Sequence, residues 1–251
     1  MEFKALHQQN TPLLICNVWD VASAKAAEKL GFQAIGTSSA AIASLLGYQD
    51  GEKMHFSELS YLVKRIVANT VLPLSVDLES GYSRETSEIV DHIQGLADLG
   101  VVGINIEDSI VNKGRKLLHA EDFAKTISVI KTQLDNDAVG VFLNVRTDTY
   151  LLKQPNTVVE TKKRIRLYEE AGADGIFTPC IEEEKDIKAV VESTSLPVNV
   201  MCMPNLPNFK KLREFGVKRI SMGNFLFDHM YKGFEHSLSL VLNNQSFSPI
   251  F

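Results

Sequence analysis

Eight times along the chain, a short apolar run rich in β-branched residues gives way to a segment of helical periodicity. No other feature restricts the available folds as strongly. The runs are LLICNVW (13–19), FQAIGTSS (32–39), LPLSVDLE (72–79), VGINIED (102–108), VGVFLNVRTD (139–148), GIFTPC (175–180), LPVNVMC (196–202) and KRISMG (218–223). Apolar residues fall on both parities of these runs, the pattern of strands buried on both faces of a parallel sheet. Between them, residues 55–70, 86–100, 120–134 and 158–172 space their apolar positions at three and four, which predicts amphipathic helices. Gly31, Gly100, Gly172 and Gly216 follow the last periodic residues, as C-terminal caps do. Eight strands and eight helices in 251 residues predict an α/β protein with a (β/α)8 TIM barrel. A doubly wound open sheet is the alternative, but no G-x-G-x-x-G follows the first run. With no linker or composition break, residues 1–251 are read as one domain, with 225–251 as a C-terminal helix and tail.

Composition matters mainly for what it excludes. A formal net charge of -5 lacks the basic footprint that nucleic acid binding requires. No apolar stretch has the length of a membrane span, and the start MEFKALHQQNTP has no secretory pattern. Cys16, Cys180 and Cys202 lack zinc-site spacing and are expected as small buried residues in a reduced, cytoplasmic protein.

Function in such a barrel gathers at the carboxyl ends of its strands. Those ends carry Asn17 and Asp20, Thr37, Ser38 and Ser39, Asp77 and Glu79, Glu107 and Asp108, then Asn144, Arg146 and Asp148, and finally Asn199. Asp50 sits in the loop GYQDGE after the second strand. Asp77 and Glu79 share strand parity and should face one side. Together with Glu107 they form an oxygen-only cluster, which suits a hard divalent ion, Mg2+ first and Mn2+ second. Carboxylates converging this way repel one another unless a cation joins them. Arg146 is the positive element, able to grip a carboxylate through two N–H groups or to neutralise the acids around it. TSSAAIAS reads as a tight small-residue turn whose backbone N–H groups could face an anion.

Taken in order, NVWDVASAKAAEKLGFQAIGTSSAAIASLLGYQDGE, PLSVDLESGY, VGINIEDS, NVRTD, EEAGADGIFTPC and LPVNVM resemble the isocitrate lyase/phosphoenolpyruvate mutase superfamily. The similarity is greatest to its short bacterial carboxyphosphonoenolpyruvate mutase-like members and spans residues 10 to 225. The resemblance implies that Asp77 ligates Mg2+ directly and that Glu79, Glu107 and Asp50 do so through water. It also implies that the amides at Ser38 and Ser39, with Arg146, hold substrate oxygens. It further implies enolate chemistry on a small 2-oxo or 2-hydroxy acid, and dimers or tetramers that swap the eighth helix. Glu79 stands where aspartate is commonest in the family. The gate stretch SIVNKGRKLL (109–118) has neither cysteine nor histidine, so the acid of isocitrate-type lyases has no counterpart in it. Lys113 fits the lysine of the phosphonopyruvate enzymes, and Arg115 stands where their asparagine falls.

The expectation is therefore a Mg2+-dependent lyase that cleaves a C–C bond or decarboxylates a small carboxylate. Asp77, Glu79, Glu107 and Asp50 belong to the metal, and Ser38, Ser39, Arg146 and Asn199 to the substrate. Lys113 and Arg115 join Arg146 as catalytic candidates, carried on a lid hinged at Gly114 that closes over the substrate. P–C bond chemistry of the phosphonopyruvate hydrolase or mutase kind is the alternative, and a silent barrel that binds a 2-oxo acid is a third reading.

Overall fold

All eight apolar runs form strands, and the strands close on themselves. The computed structural model describes residues 2–251. The barrel strands are β1 (Leu13–Val18), β2 (Ala34–Thr37), β3 (Leu74–Asp77), β4 (Gly103–Glu107), β7 (Phe142–Arg146), β8 (Gly175–Thr178), β9 (Val198–Met201) and β10 (Arg219–Ser221). They pair in parallel in that order, and β10 returns to β1. This is the predicted (β/α)8 barrel. Ile35, Val76, Ile104, Val145 and Val200 are fully buried in the main apolar core. Each such side chain contributes roughly 1.5–3 kcal/mol by leaving water.

Helices α1 (Val21–Lys29), α3 (Phe56–Val67), α4 (Thr86–Asp98), α5 (Ala120–Asn136), α6 (Thr157–Glu170), α7 (Glu184–Val191), α8 (Phe209–Glu214) and α9 (Phe225–Asn244) follow the barrel strands. Two segments differ from expectation. TSSAAIAS is not a turn but opens α2 (Ser39–Leu46), because the Ser38 hydroxyl accepts from the Ala41 amide and caps it. The gate stretch is a hairpin of β5 (Ser109–Val111) and β6 (Arg115–Leu117), with Lys113 and Gly114 at positive φ in its tip. Only one of the three cysteines is the expected core residue. Cys16 is buried, whereas Cys180 is half-buried and Cys202 exposed, because both follow the ends of their strands.

Inside the barrel the packing is partly polar. Asn144 on β7 donates to Asn105 on β4 (2.8 Å) and to Asn199 on β9 (3.2 Å), and Arg219 on β10 reaches Ser75 on β3 (3.3 Å). Strands that are not neighbours can be joined this way only through the barrel's interior. Below this layer, a 3-10 segment (Phe3–Gln8) closes the amino-terminal end by packing Phe3 and Leu6 on Leu13, Ile15, Ala34 and Phe142.

Candidate active site

At the carboxyl ends of the strands lies a cavity of about 260 Å3, lined in part by Ser38, Ser39, Asp50, Asp77, Arg115 and Arg146. Six of the residues singled out from sequence thus share one space. Asp77, the last residue of β3, is half-buried, and its Oδ2 accepts from the Ser39 hydroxyl (2.8 Å) and amide (3.3 Å). Its own amide donates to the Thr37 hydroxyl (2.8 Å), which fixes its height at the rim.

Glu79 arrives by a different route from the one its parity suggested. β3 ends at Asp77, and Glu79 lies in the following turn with a left-handed φ of 50°. The turn is held by Glu52, which accepts from the Ser80 hydroxyl (2.9 Å) and the Tyr82 amide (2.7 Å) and pairs with Arg84. Gly81 completes it at φ 105°, where a Cβ would lie 2.7 Å from Ile89. Glu79 is buried, and Tyr82 donates to its Oε1 (3.3 Å). Burial, then the charges of Asp50 and Asp77, push its pKa up to about 8.

Glu107 sits beside Arg146 in the strand register. Its Oε2 pairs with Arg146 Nη1 (3.0 Å), while its Oε1 accepts from Arg115 and from Ser109 (3.1 Å). Both of its oxygens, expected to order metal waters, also accept from protein donors. Burial drives its pKa upward, opposed by Arg146 and Arg115. Arg146 also donates from Nε to Asp148 (2.6 Å), and its Nη2 is left without a partner among the described residues. Arg115, carried in by the hairpin, ties together Asp50 (3.0 Å), Glu107 and Asp148 (3.2 Å).

Three further expectations need restating. Asn199 does not line the mouth. It is fully buried one layer lower and bonded to Val200 and Ser221, while Met201, two residues on, reaches the cavity. Lys113 is exposed at the hairpin tip and not among the lining residues. The Ser38 and Ser39 amides are both committed, to Val18 O (3.2 Å) and to Asp77, because α2 begins here. Of the other strand-end residues, Asp20 caps α1, and Asp108 is buried against Arg164, Thr147 and Tyr168. The sequence reading missed Asn105, which lines the cavity floor. Its signal was present: two residues before Glu107, it shares that residue's parity on β4.

The donor set fits a hard cation. Asp50, Asp77 and Glu79 repel one another, and neither Asp77 nor Glu79 has a cationic partner among the described residues. No three acidic, imidazole or thiolate side chains among the described residues converge to enclose an ion unaided.

Residues 3–242 match the family described as phosphoenolpyruvate phosphomutase. An uncharacterised protein of Mycobacterium tuberculosis is 36% identical over 89% of this chain and 82% of its own length. Oxaloacetate decarboxylase 1 of Pseudomonas fluorescens is 28% identical over 86% and 75% of the two chains. A solved structure from Burkholderia cenocepacia, provisionally called a phosphonomutase, superposes with a TM-score of 0.89 at 33% identity, covering 94% of this chain and 97% of that one.

Proposed function

The chain belongs to the phosphoenolpyruvate phosphomutase family, and from that premise we propose that it is a Mg2+-dependent lyase acting on a small 2-oxo- or 2-hydroxy-carboxylate through an enolate. The observation carrying this reading is the acidic pair Asp77 and Glu79, without a cationic partner among the described residues and next to Asp50, beside an arginine with a free N–H edge. Asp77 would hold the ion directly, with Glu79 and Asp50 on its waters. Mg2+ supplies Lewis-acid stabilisation of the charge that develops on a substrate carbonyl oxygen.

Everything else falls to the chain's own residues. Arg146, braced by Glu107 and Asp148, presents Nη2 to a substrate carboxylate. Asp148 is buried, yet Arg146, Ser109 and Arg115 hold its carboxyl below the usual range, so the brace stays charged. The hairpin, pinned by Arg115 to Asp50, would shield the mouth from bulk water. In a decarboxylation the C–C bond to the leaving carboxylate breaks, its electron pair enters the enolate, and a proton then returns to carbon. A cavity of about 260 Å3 suits a substrate of this size better than a larger ligand.

Oxaloacetate and methyl-substituted malates, supplied with Mg2+ and then with chelator, test the proposal. Free Mg2+ also decarboxylates oxaloacetate, so an Asp77→Asn variant serves as the blank. Turnover above that blank is expected and should fall at least a hundredfold in Arg146→Ala. Equal turnover by wild type and blank across the panel rejects a lyase. The family description favours one competing reading, P–C bond chemistry, which would release or rearrange phosphorus from phosphonopyruvate. Saturable acid binding without turnover would instead mark a silent barrel.

The same reading includes self-association through α9 and a cytoplasmic setting. The first is supported by that helix's exposed apolar stripe, the second by three free thiols. Among the described residues no helix is long and apolar enough to cross a membrane.

A further inference from the structure

Three polar side chains, Asn17, Asn105 and Ser221, reach the cavity from its floor. Two are fully committed to the protein. Asn17 donates to Thr37 O (2.9 Å), and its Oδ1 accepts from the amides of Met222 (2.7 Å) and Gly223 (3.1 Å). Ser221 accepts from Asn199 (3.1 Å) and donates to Val200 O (3.4 Å). Asn105 differs. Its Oδ1 is taken by Asn144 Nδ2 (2.8 Å) and Arg219 Nη2 (3.3 Å), while its own Nδ2 meets no acceptor among the described residues.

Arg219 is the unusual member of this layer. Its side chain is among the largest that are fully buried, yet it pairs with no carboxylate among the described residues. Its Nε and Nη1 have no hydrogen-bond partner among the described residues. Asp77 acts on it only at a distance; a buried cation without a paired carboxylate is costly, and a packing role alone would be met by an aliphatic residue. What an arginine adds here is direction. A guanidinium only donates, so the atom of Asn105 facing it must be the carboxamide oxygen. The Asn105 NH2 is then turned up into the cavity, with a fixed positive charge beneath it. In a mouth lined by Asp50 and Asp77 as well as Arg115 and Arg146, this is a further spot, on the floor, that favours an anionic oxygen.

We propose that Asn105 is a substrate-binding residue, donating to an oxygen of the 2-oxo-carboxylate, and that Arg219 is the positioning residue that orients it. The inference rests on the functional reading above, which places such an acid in this cavity. It adds a neutral donor on the cavity floor, on the strand next to that of Arg146, where it could meet charge developing in the enolate.

Oxalate, a planar dianion shaped like such an enolate, is the probe. Its binding is measured by calorimetry with saturating Mg2+, alongside Mg2+ binding without oxalate and thermal unfolding. Asn105→Ala should weaken oxalate about tenfold, the worth of one hydrogen bond to a charged group, and leave Mg2+ affinity unchanged. Arg219→Met should weaken oxalate to a similar degree, and Arg219→Lys, which keeps a donor under Oδ1, should restore part of the loss. Because the two residues act through one amide, the Asn105→Ala, Arg219→Met double variant should lose no more than either single variant. If Arg219→Met fails to fold, Asn105→Asp decides: it is isosteric, presents oxygen instead of NH2, and should abolish oxalate binding while Mg2+ still binds. Oxalate affinity untouched by Asn105→Ala or Asn105→Asp, or additive losses in the double variant, overturns the inference while leaving the 2-oxo acid reading intact. Wild-type protein that binds Mg2+ but not oxalate overturns both.

Discussion

Asp77 is where residue-level chemistry can be tested most directly. Without a metal it is one of three carboxylates that repel one another, and Glu79 responds with a pKa pushed up to about 8 by burial and by its neighbours. Asp77→Asn keeps an acceptor for the Ser39 hydroxyl but removes a charge. In chelator the variant should therefore be the more stable protein, by about 1 kcal/mol, the scale of one unit of pKa shift. With Mg2+ at a hundred times its Kd, wild type should gain about 2.7 kcal/mol and the variant almost nothing. The order of stability thus inverts on adding the ion, and urea titrations in the two conditions would show it. Equal gains by both proteins would remove Asp77 from the metal. How much was legible at this scale depended on what fixes each side chain. Asp77, Glu107 and Arg146 end regular strands, so their place at the strand ends found them. Glu79 reached the same cluster through a left-handed turn tied down by Glu52, which no periodicity encodes. Asn199 and Asn105 differ only in barrel layer, and layer follows from strand stagger, which a single strand's sequence does not reveal.

Two elements outside the eight barrel strands shape the ends of the barrel. The β5–β6 hairpin lies against the Asp50 loop so closely that a Cβ at Gly51 would fall 2.6 Å from Val111, and Gly51 sits at φ 101°. Gly51→Ala should lift the hairpin and part Arg115 from Asp50. The expected results are faster proteolysis at residues 112–114 and a kcat reduced about tenfold, with Mg2+ affinity nearly unchanged, as for a late-acting lid. An unaltered kcat with a loosened hairpin would strip the hairpin of that role. At the opposite end, the 3-10 segment buries His7, whose ring stacks on Phe142 at 4.2 Å and whose Nδ1 donates to Phe3 O (3.2 Å). Burial, then the charge of Arg219, lower its pKa to about 3, with Asp174 pulling weakly the other way. Native His7 thus stays neutral where the unfolded chain takes up a proton. Its contribution is complete above pH 6.5 and declines as pH falls toward 3. At pH 5 wild type should have lost about 2 kcal/mol that His7→Phe retains, read as the difference between their urea midpoints at pH 7 and pH 5. Identical pH dependence in the two proteins would contradict a buried neutral imidazole. The hairpin was legible only as a basic gate and the 3-10 segment not at all, because both are too short for a periodic signal.

On the scale of the whole molecule, the barrel was readable because closure buries every strand on both faces, and that leaves β-rich runs of mixed parity between amphipathic helices. A surface for self-association would leave no such signal in a single chain. α9 follows its predicted span of 225–244, yet Phe227 is its only buried residue, set edge-on to Trp19 at 5.1 Å. Leu226, Met230, Phe234, Leu238 and Leu242 recur every fourth residue along it and all are exposed, with Phe247, Ile250 and Phe251 beyond. A stripe this long on a free monomer would be a standing aggregation hazard. Paired about a two-fold axis, it offers a self-complementary strip on the scale of the roughly 800 Å2 per partner found in stable dimers. Sedimentation should therefore find dimers or larger closed assemblies at micromolar concentration. Phe234→Asp with Leu238→Asp, one turn apart on the stripe, should give monomers whose circular dichroism still reports the barrel. Gly223 and Asn224, which line the cavity, lead directly into α9. Releasing the helix should therefore loosen that rim and raise KM severalfold, with Mg2+ binding at Asp77 unaffected. A wild-type monomer, or a charged variant that still assembles, would mean that α9 serves some other surface. A monomeric variant with unchanged KM would separate assembly from catalysis, leaving each barrel a complete catalytic unit.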